Sequence, residues 1–450
     1  MEESIKQEWF ELLRCQSVSS DPTHLRDSVQ CAMLLKTFLK KLGFEAELVM
    51  NDIKNGGGSA PVVLASRIRA EDAPTILIYG HYDVQSPDPV GEWQTPPFEP
   101  VEKDGRVYCR GAQDDKGQLF ALLCGVRDFI KENADRPINI KVLIEGEEES
   151  GSAALLELLP SIGKKIAADV LLVCDTSAGK DLQPAIVAGL RGVSHFTIRL
   201  SGPGRDLHSG EYGGVAPNPA QAIAELVASL HNPNGSIAVE GFMDGIEPPL
   251  DEELRLAAES TPSKEAFEED IGCEAAGGEY AKPIVERLSF MPTIEVNGIH
   301  SGYGGVGSKT VIPSSAFAKI SMRLAPGQSP RHAFETVRTH LENHLPRGMK
   351  LEITEYNPGA GGFRLPVSAP VFKLAAMVLE EMDERGALFQ WDGASIPAVS
   401  AIREASGAAP LLVGWGQPGD NIHSPNESYS FRQFELARSW AREFLSSFSM

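Results

Sequence analysis

The sequence predicts an α/β fold with a mostly parallel sheet, interrupted by an inserted α+β domain of ferredoxin-like type. Three observations lead to this. From about residue 60 to 188, short apolar runs (VVLASRI, TILIYG, INIKVLIEG, ADVLLVCD) alternate with helical stretches, the pattern of parallel strands covered by helices. After Ala188 the character changes to an alternating run, VSHFTIRLSG, and elements follow in β-α-β-β-α-β order, which suggests a compact unit with antiparallel strands. From about residue 363 the first style resumes, so residues 1–190 and 363–450 read as two parts of one domain and 191–362 as the insertion.

The elements follow in order. The opening MEESIKQEWFELLRCQ is amphipathic and acidic at its start, without the basic and continuously apolar stretches of a secretory signal. Asn55–Gly58 reads as a flexible turn between early strands. The GAQDDKG turn feeds a helix over Lys116–Glu132, placing Asp114 near its N-terminus, and a second helix covers Ala153–Leu159. In the insertion, helices are expected over Ala220–Leu230, Asp251–Ala258 and Pro330–Leu345. Strands are expected at PTIEVNGI, AFAKISMRLAP and LEITEY, with a hinge-like exit at Pro358–Gly362. A helix over Val371–Arg385, the strand PLLVGW and a closing helix over Phe431–Phe448 complete the chain.

A chain of 450 residues exceeds what one core usually organises. The 41 basic against 62 acidic residues, formal net charge -21, argue against nucleic acid or an anionic membrane surface as partner. Six scattered cysteines, none in a C-x-x-C pair, suit a reducing cytoplasm. No segment reaches membrane-spanning length without charge.

The chemistry concentrates where apolar runs end. His81 and Asp83 follow TILIY; Asp114 lies in GAQDDKG; Glu148 and Glu149 lie in EGEEESG; Asp175 follows ADVLLVC; His423 lies in NIHSPNE. Carboxyl ends of strands are where an open α/β sheet gathers its functional groups. Two imidazoles and three carboxylates, His81, Asp114, Glu149, Asp175 and His423, are donors that a pair of zinc ions takes at about 2.0–2.2 Å, one carboxylate bridging. With Asp114 bridging, each metal has one histidine and one terminal carboxylate. A water between the metals, its pKa lowered to about 7, becomes a hydroxide nucleophile. Asp83, two residues after His81 on an extended segment, shares its face and can orient the ring. Glu148, beside a ligand, is free to act as general base.

At these residues the chain resembles the aminoacylase and carnosinase family of dinuclear zinc peptidases, most closely its dipeptidase branch. GHYDVQ, W-x-x-x-PFEP at Trp93–Pro100, RGAQDDKG, EGEEESGS, DLHSGEYGG, SKTVIP, SMRLAPGQ, GASIP and HSPNE fall in the family's order over nearly the full length. Glu147 stands where the family commonly has an apolar residue, and Gln113 where relatives often carry a small one. The resemblance implies that His81 and Asp175 bind one metal and Glu149 and His423 the other, with Asp114 between them and a cis peptide at Asp114–Asp115. It implies a lid and dimerisation role for the insertion. His208 would be supplied across a homodimer interface to stabilise the oxyanion. Thr310, Arg323 and Ser395 would hold the substrate's free C-terminal carboxylate, Arg323 by charge-assisted hydrogen bonds.

Taken alone, Asp175 reads as a helix cap or turn former, and Glu147–Glu149 as a solvated acidic helix start; the ordered company of the other motifs favours ligands. His300, in a second HSG tripeptide, reads as a loop residue. His340 and His344, at i,i+4 spacing, lack the Glu of H-E-x-x-H and read as a solvated helix face. The glycines of GYGGVG lack the strand and helix context of a nucleotide loop. The expectation is a cytoplasmic homodimer with two divalent ions per subunit, zinc first and manganese or cobalt also suited. It would hydrolyse dipeptides or short peptides with a free C-terminal carboxylate. The alternative is an N-acyl-amino-acid or succinyl-diamine deacylase with the same metal chemistry.

Overall fold

The computed structural model describes residues 1–50, 59–393 and 395–448; the turn expected at Asn55–Gly58 lies outside them. By internal contact the chain divides into two units. One comprises Met1–Ala188, Leu365–Gln390 and Ala398–Met450; the other comprises Gly189–Arg364 and Trp391–Pro397. The sequence predicts 363–450 as one piece, whereas Trp391–Pro397 belongs with the inserted unit. The reason is local: Arg191 Nε donates to Gly393 O at 3.0 Å, and Arg323 Nη1 donates to Ser395 Oγ at 2.9 Å.

The first unit is built on a sheet whose central strands are Asn139–Glu145, Thr75–His81, Val170–Val173 and Ala409–Leu412, paired in that order and all parallel. Glu45–Val49 and Val62–Arg67 extend one side in antiparallel fashion. Ile76, Leu77, Ile78 and Tyr79 are all fully buried, as expected of a strand covered on both faces, which is why TILIY is a continuous apolar run and not an alternating one. The helices Lys116–Glu132 and Phe431–Ser447 cross at Gly125, where a Cβ would fall 2.3 Å from Arg438 O. Ser430 caps the latter helix, accepting from Gln433 N.

Two differences from the sequence reading have physical causes. The helix expected to stop at Leu159 continues through Pro160 to Ile166, burying Ile162 and Ile166. Each isoleucine gains about 1.5–3 kcal/mol by burial, against about 3 kcal/mol for an interior proline, so burial prevails. The strand Leu388–Asp392 and the helix Pro397–Ser406 were not foreseen.

The second unit contains an antiparallel sheet in the order Thr293–Ser301, Ser315–Leu324, Gly192–Ser201, Lys350–Ala360. The helices Pro219–Ala228 and Pro330–Asn343 complete the β-α-β-β-α-β order. Along Ser315–Leu324 every second residue (Ala316, Ala318, Ile320, Met322, Leu324) enters a core with Phe196, Ile198, Leu226, Val337 and Leu341, the period of a strand with one face buried. Between the first helix and the next strand lie three further helices, Asp251–Ser260, Lys264–Ile271 and Ile284–Ser289, of which the sequence reading found one. Pro358–Ala360, read as part of a hinge-like exit, continues the last strand. Gly359 at φ 59° lies so close to Val193 O that a Cβ there would meet it at 1.8 Å. Among the described residues, no helix is long and apolar enough to cross a membrane.

Candidate metal centre

His81 is the last residue of Thr75–His81. Glu148 and Glu149 open the short helix after Asn139–Glu145, and Asp175 follows Val170–Val173. Parallel register brings these strand ends side by side: His81 pairs with Glu145, and Tyr79 with Val173. Gly80 allows the approach of the aspartate loop, because a Cβ there would sit 2.7 Å from Asp115 Oδ2.

Asp114 lies between the two imidazoles. Its Oδ1 is 3.2 Å from His81 Nε2 and its Oδ2 is 2.9 Å from His423 Nε2. Asp175 Oδ2 is 3.7 Å from His81 Nε2, and Glu149 Oε2 is 3.3 Å from His423 Nε2. The ligand atoms thus form two clusters, one of His81 and Asp175 with Asp115, the other of Asp114, Glu149 and His423. The Asp114–Asp115 peptide is cis, and His423 adopts φ 58°, a left-handed conformation uncommon outside glycine.

Asp83 is fully buried and serves three neighbours. Its Oδ1 is 3.2 Å from His81 Nδ1, and its carboxylate accepts from Glu148 N at 3.2 Å and Glu149 N at 3.0 Å. Nδ1 is engaged with Asp83, which leaves Nε2 of His81 facing Asp114 and Asp175, a buried atom without a hydrogen-bond partner. An orphaned imidazole nitrogen facing two carboxylates fits a metal ligand.

The electrostatics favour cations as well. Burial opposes ionisation of Asp114, but the His423 and His81 imidazoles hold it below the usual carboxylate range. Hydrogen bonds to Asp114 and then Glu149 raise His423 to about 10. Burial, followed by Asp115 and Asp114, pushes Asp175 well up. Burial also raises Glu148 to about 7; His81 opposes this, and Asp83, Glu149 and Asp114 add to it. Carboxylates that crowd and repel in this way are stabilised as anions by divalent ions among them, which also favour neutral imidazoles.

The remaining predicted residues lie in the second unit and form two pairs. His208, exposed, accepts from Gly210 N through Nδ1 at 3.0 Å, and its Nε2 is 3.4 Å from Thr310 Oγ1. An accepting Nδ1 leaves the proton of the neutral ring on Nε2. Arg323 pairs with Ser395, whose Oγ donates to Arg191 O. Arg323 and Arg191 also line a cavity of about 930 Å³ with Glu295, Met291 and Phe267.

Several residues escaped the sequence reading. Gln85 Nε2 donates to Glu149 Oε2 at 2.8 Å; its place two residues after Asp83 was a signal. Asp115, named in the sequence reading only with the cis peptide, also accepts from His81 N. Two readings need correction. His300 is not a loop residue but lies on Thr293–Ser301, its ring 5.5 Å from that of Phe317. His340 is not on a solvated face: it is buried, stacks on His344 and bonds Ser229 Oγ through Nε2 at 3.0 Å, because its helix packs that side inward.

A parallel α/β sheet whose strand ends and adjoining loops gather two imidazole–carboxylate clusters has the donors of a metal-dependent hydrolase. The chain belongs to Peptidase family M20/M25/M40, which it matches over residues 77–447. It is 29% identical to the Cys-Gly metallodipeptidase dug1 of Schizosaccharomyces pombe over 93% of this chain and 90% of that one. It is also 29% identical to the Beta-Ala-His dipeptidase of Homo sapiens, over 82% and 73% of the two chains. Among solved structures, the M20 family metallo-carboxypeptidase Sso-CP2 of Sulfolobus solfataricus superposes with a TM-score of 0.85 at 29% identity, covering 99% of each chain.

Proposed function

We propose that this chain is a metal-dependent dipeptidase that hydrolyses the peptide bond of dipeptides or short peptides with a free C-terminal carboxylate. The observation that carries the reading is the shared carboxylate: the two oxygens of Asp114 face two different imidazoles, at 3.2 and 2.9 Å. His81 and Asp175 would hold one divalent ion, Glu149 and His423 the other, with Asp114 common to both. The nitrogen and oxygen donor set suits zinc first, with manganese or cobalt also compatible. Bound there, the ions supply Lewis-acid activation of water and of the scissile carbonyl.

The chain's own residues do the rest. Asp83 fixes the His81 ring. Glu148, raised towards neutrality, takes a proton from the attacking water and delivers it to the leaving nitrogen as the C–N bond breaks. His208 donates from Nε2 to the oxyanion of the tetrahedral intermediate. We take His208 to be supplied across the interface of a homodimer, in which the inserted unit acts as lid and dimerisation domain. Arg323, Ser395 and Thr310 hold the substrate carboxylate. A cytoplasmic setting is supported by six cysteines that are all free.

The dipeptidase names of the relatives weigh against the deacylase alternative. The test is turnover by the zinc-loaded protein of dipeptides with free C-termini, the same dipeptides amidated, and N-acyl amino acids. Fast turnover of the first, slow turnover of the amidated dipeptides and none of the N-acyl amino acids is expected; turnover of N-acyl amino acids alone would overturn the assignment.

A further inference from the structure

Two motifs, Trp93–Pro100 and the end of HSPNE, hold residues for which the proposed chemistry has no role, and the structure joins them. Glu427 is fully buried, and both its carboxylate oxygens are engaged. Oε2 accepts from Arg110 Nη1 and Gly111 N, each at 2.9 Å; Oε1 accepts from Gln113 N at 2.9 Å and Asp114 N at 3.1 Å. Arg110 is itself 1% exposed, donates to Ser86 O at 3.2 Å and lies 5.3 Å over the Trp93 ring. The backbone of Glu427 accepts from Cys109 N at 3.0 Å.

Three backbone amides converging on one point form a cradle for an anion, and here the anion comes from the loop that carries His423. We propose that Glu427 is a positioning residue for the metal centre: by gathering the amides of Gly111, Gln113 and Asp114 it sets Asp114 at its working distance from His423. This rests on the dinuclear reading of the site. The backbone N–H of Asp114 donates one of the four bonds, so the residue whose carboxylate faces both imidazoles is anchored through its own main chain. Only three residues separate His423 from Glu427, and His423 is held at φ 58°, so displacement of Glu427 is transmitted to His423. A glutamine in its place would present an NH2 group where N–H donors already point, losing both the charge assistance and at least one bond.

The test uses the full chain, stripped of metal and titrated with zinc, with binding followed by calorimetry and bound metal by elemental analysis. Wild-type protein is expected to bind two ions. Glu427→Gln should bind at least one of them about 10–100-fold more weakly, retaining a single ion at a zinc concentration that just saturates the wild type. Arg110→Met combined with Glu427→Gln removes the guanidinium left unpaired. It should melt at a higher temperature than Glu427→Gln alone while binding zinc equally weakly, separating positioning from failure to fold. Asn426→Gly lies in the same loop at φ 65° and removes a side chain that bonds Gln94 N and Glu92 O; it should retain both ions. Two ions bound as tightly by Glu427→Gln as by wild type would overturn the proposal. So would an equal loss in Asn426→Gly. Wild-type protein that takes up fewer than two ions would instead sink the dinuclear reading beneath it.

Discussion

The strand ends of the first unit and the polar residues of the second present their side chains in opposite ways. His81 and Asp83 are 1% and 0% exposed, and Asp83 meets one imidazole and two backbone amides. His208 and Thr310 are exposed, and His208 has one backbone donor and one long contact to Thr310. Groups that hold ions must be fixed before the ion arrives, and their supporting bonds cost nothing in access. Groups that meet a substrate must stay open to it, so their order comes partly from binding.

This contrast can be broken by experiment. The largest effect is expected from removing the metal: chelation, or Asp114→Ala, should leave no turnover above background, and added zinc, manganese or cobalt should restore only the chelated wild type. Glu148→Gln comes next, with kcat lower by about 10²–10⁴-fold and zinc content unchanged by elemental analysis; a loss of metal would make Glu148 a ligand and not a base. His208→Ala should lower kcat by about 10²–10³-fold with little change in KM. If His208 acts across a dimer interface, mixing it with Glu148→Gln protein should recover part of the activity through hybrid dimers, and no recovery would count against a shared site. Arg323→Met should chiefly raise KM for free dipeptides, by about 10–100-fold for a charge-assisted bond of ~1.5–3 kcal/mol. The same change should scarcely affect amidated substrates. An equal effect on both would place Arg323 in the scaffold and not on the substrate.

Legibility followed the same division. His81, Asp83, Glu149 and Asp175 stood out because each follows an apolar run, and the fold aligns those strand ends through parallel register. The pairing of Arg110 and Glu427 went unread, since their side chains are separated by more than three hundred residues and neither alone differs from a surface charge. That Trp391–Pro397 joins Arg191 in the inserted unit went unread for the same reason, although GASIP and Ser395 were singled out: the bonds of Arg191 to Gly393 O and Met291 O exist only after the sheet forms. Pro160 misled because local propensity is a weak prior against two buried isoleucines. His340 misled because i,i+4 spacing records which residues share a face but not what packs there.

By itself, the order of apolar runs and the residues at their ends determined the α/β class, the inserted β-α-β-β-α-β unit and the identity of the ionisable groups, because strand period and burial are properties of neighbouring residues. Only the tertiary structure decided which oxygen of Asp114 faces which imidazole, that Asp83 serves Glu148 and Glu149 as well as His81, and that Glu427 ties the loops of Asp114 and His423 together. Those are distances between segments brought together by folding. A hydrogen bond or a metal site depends on such distances to within a few tenths of an ångström, far finer than any pattern along the chain can carry.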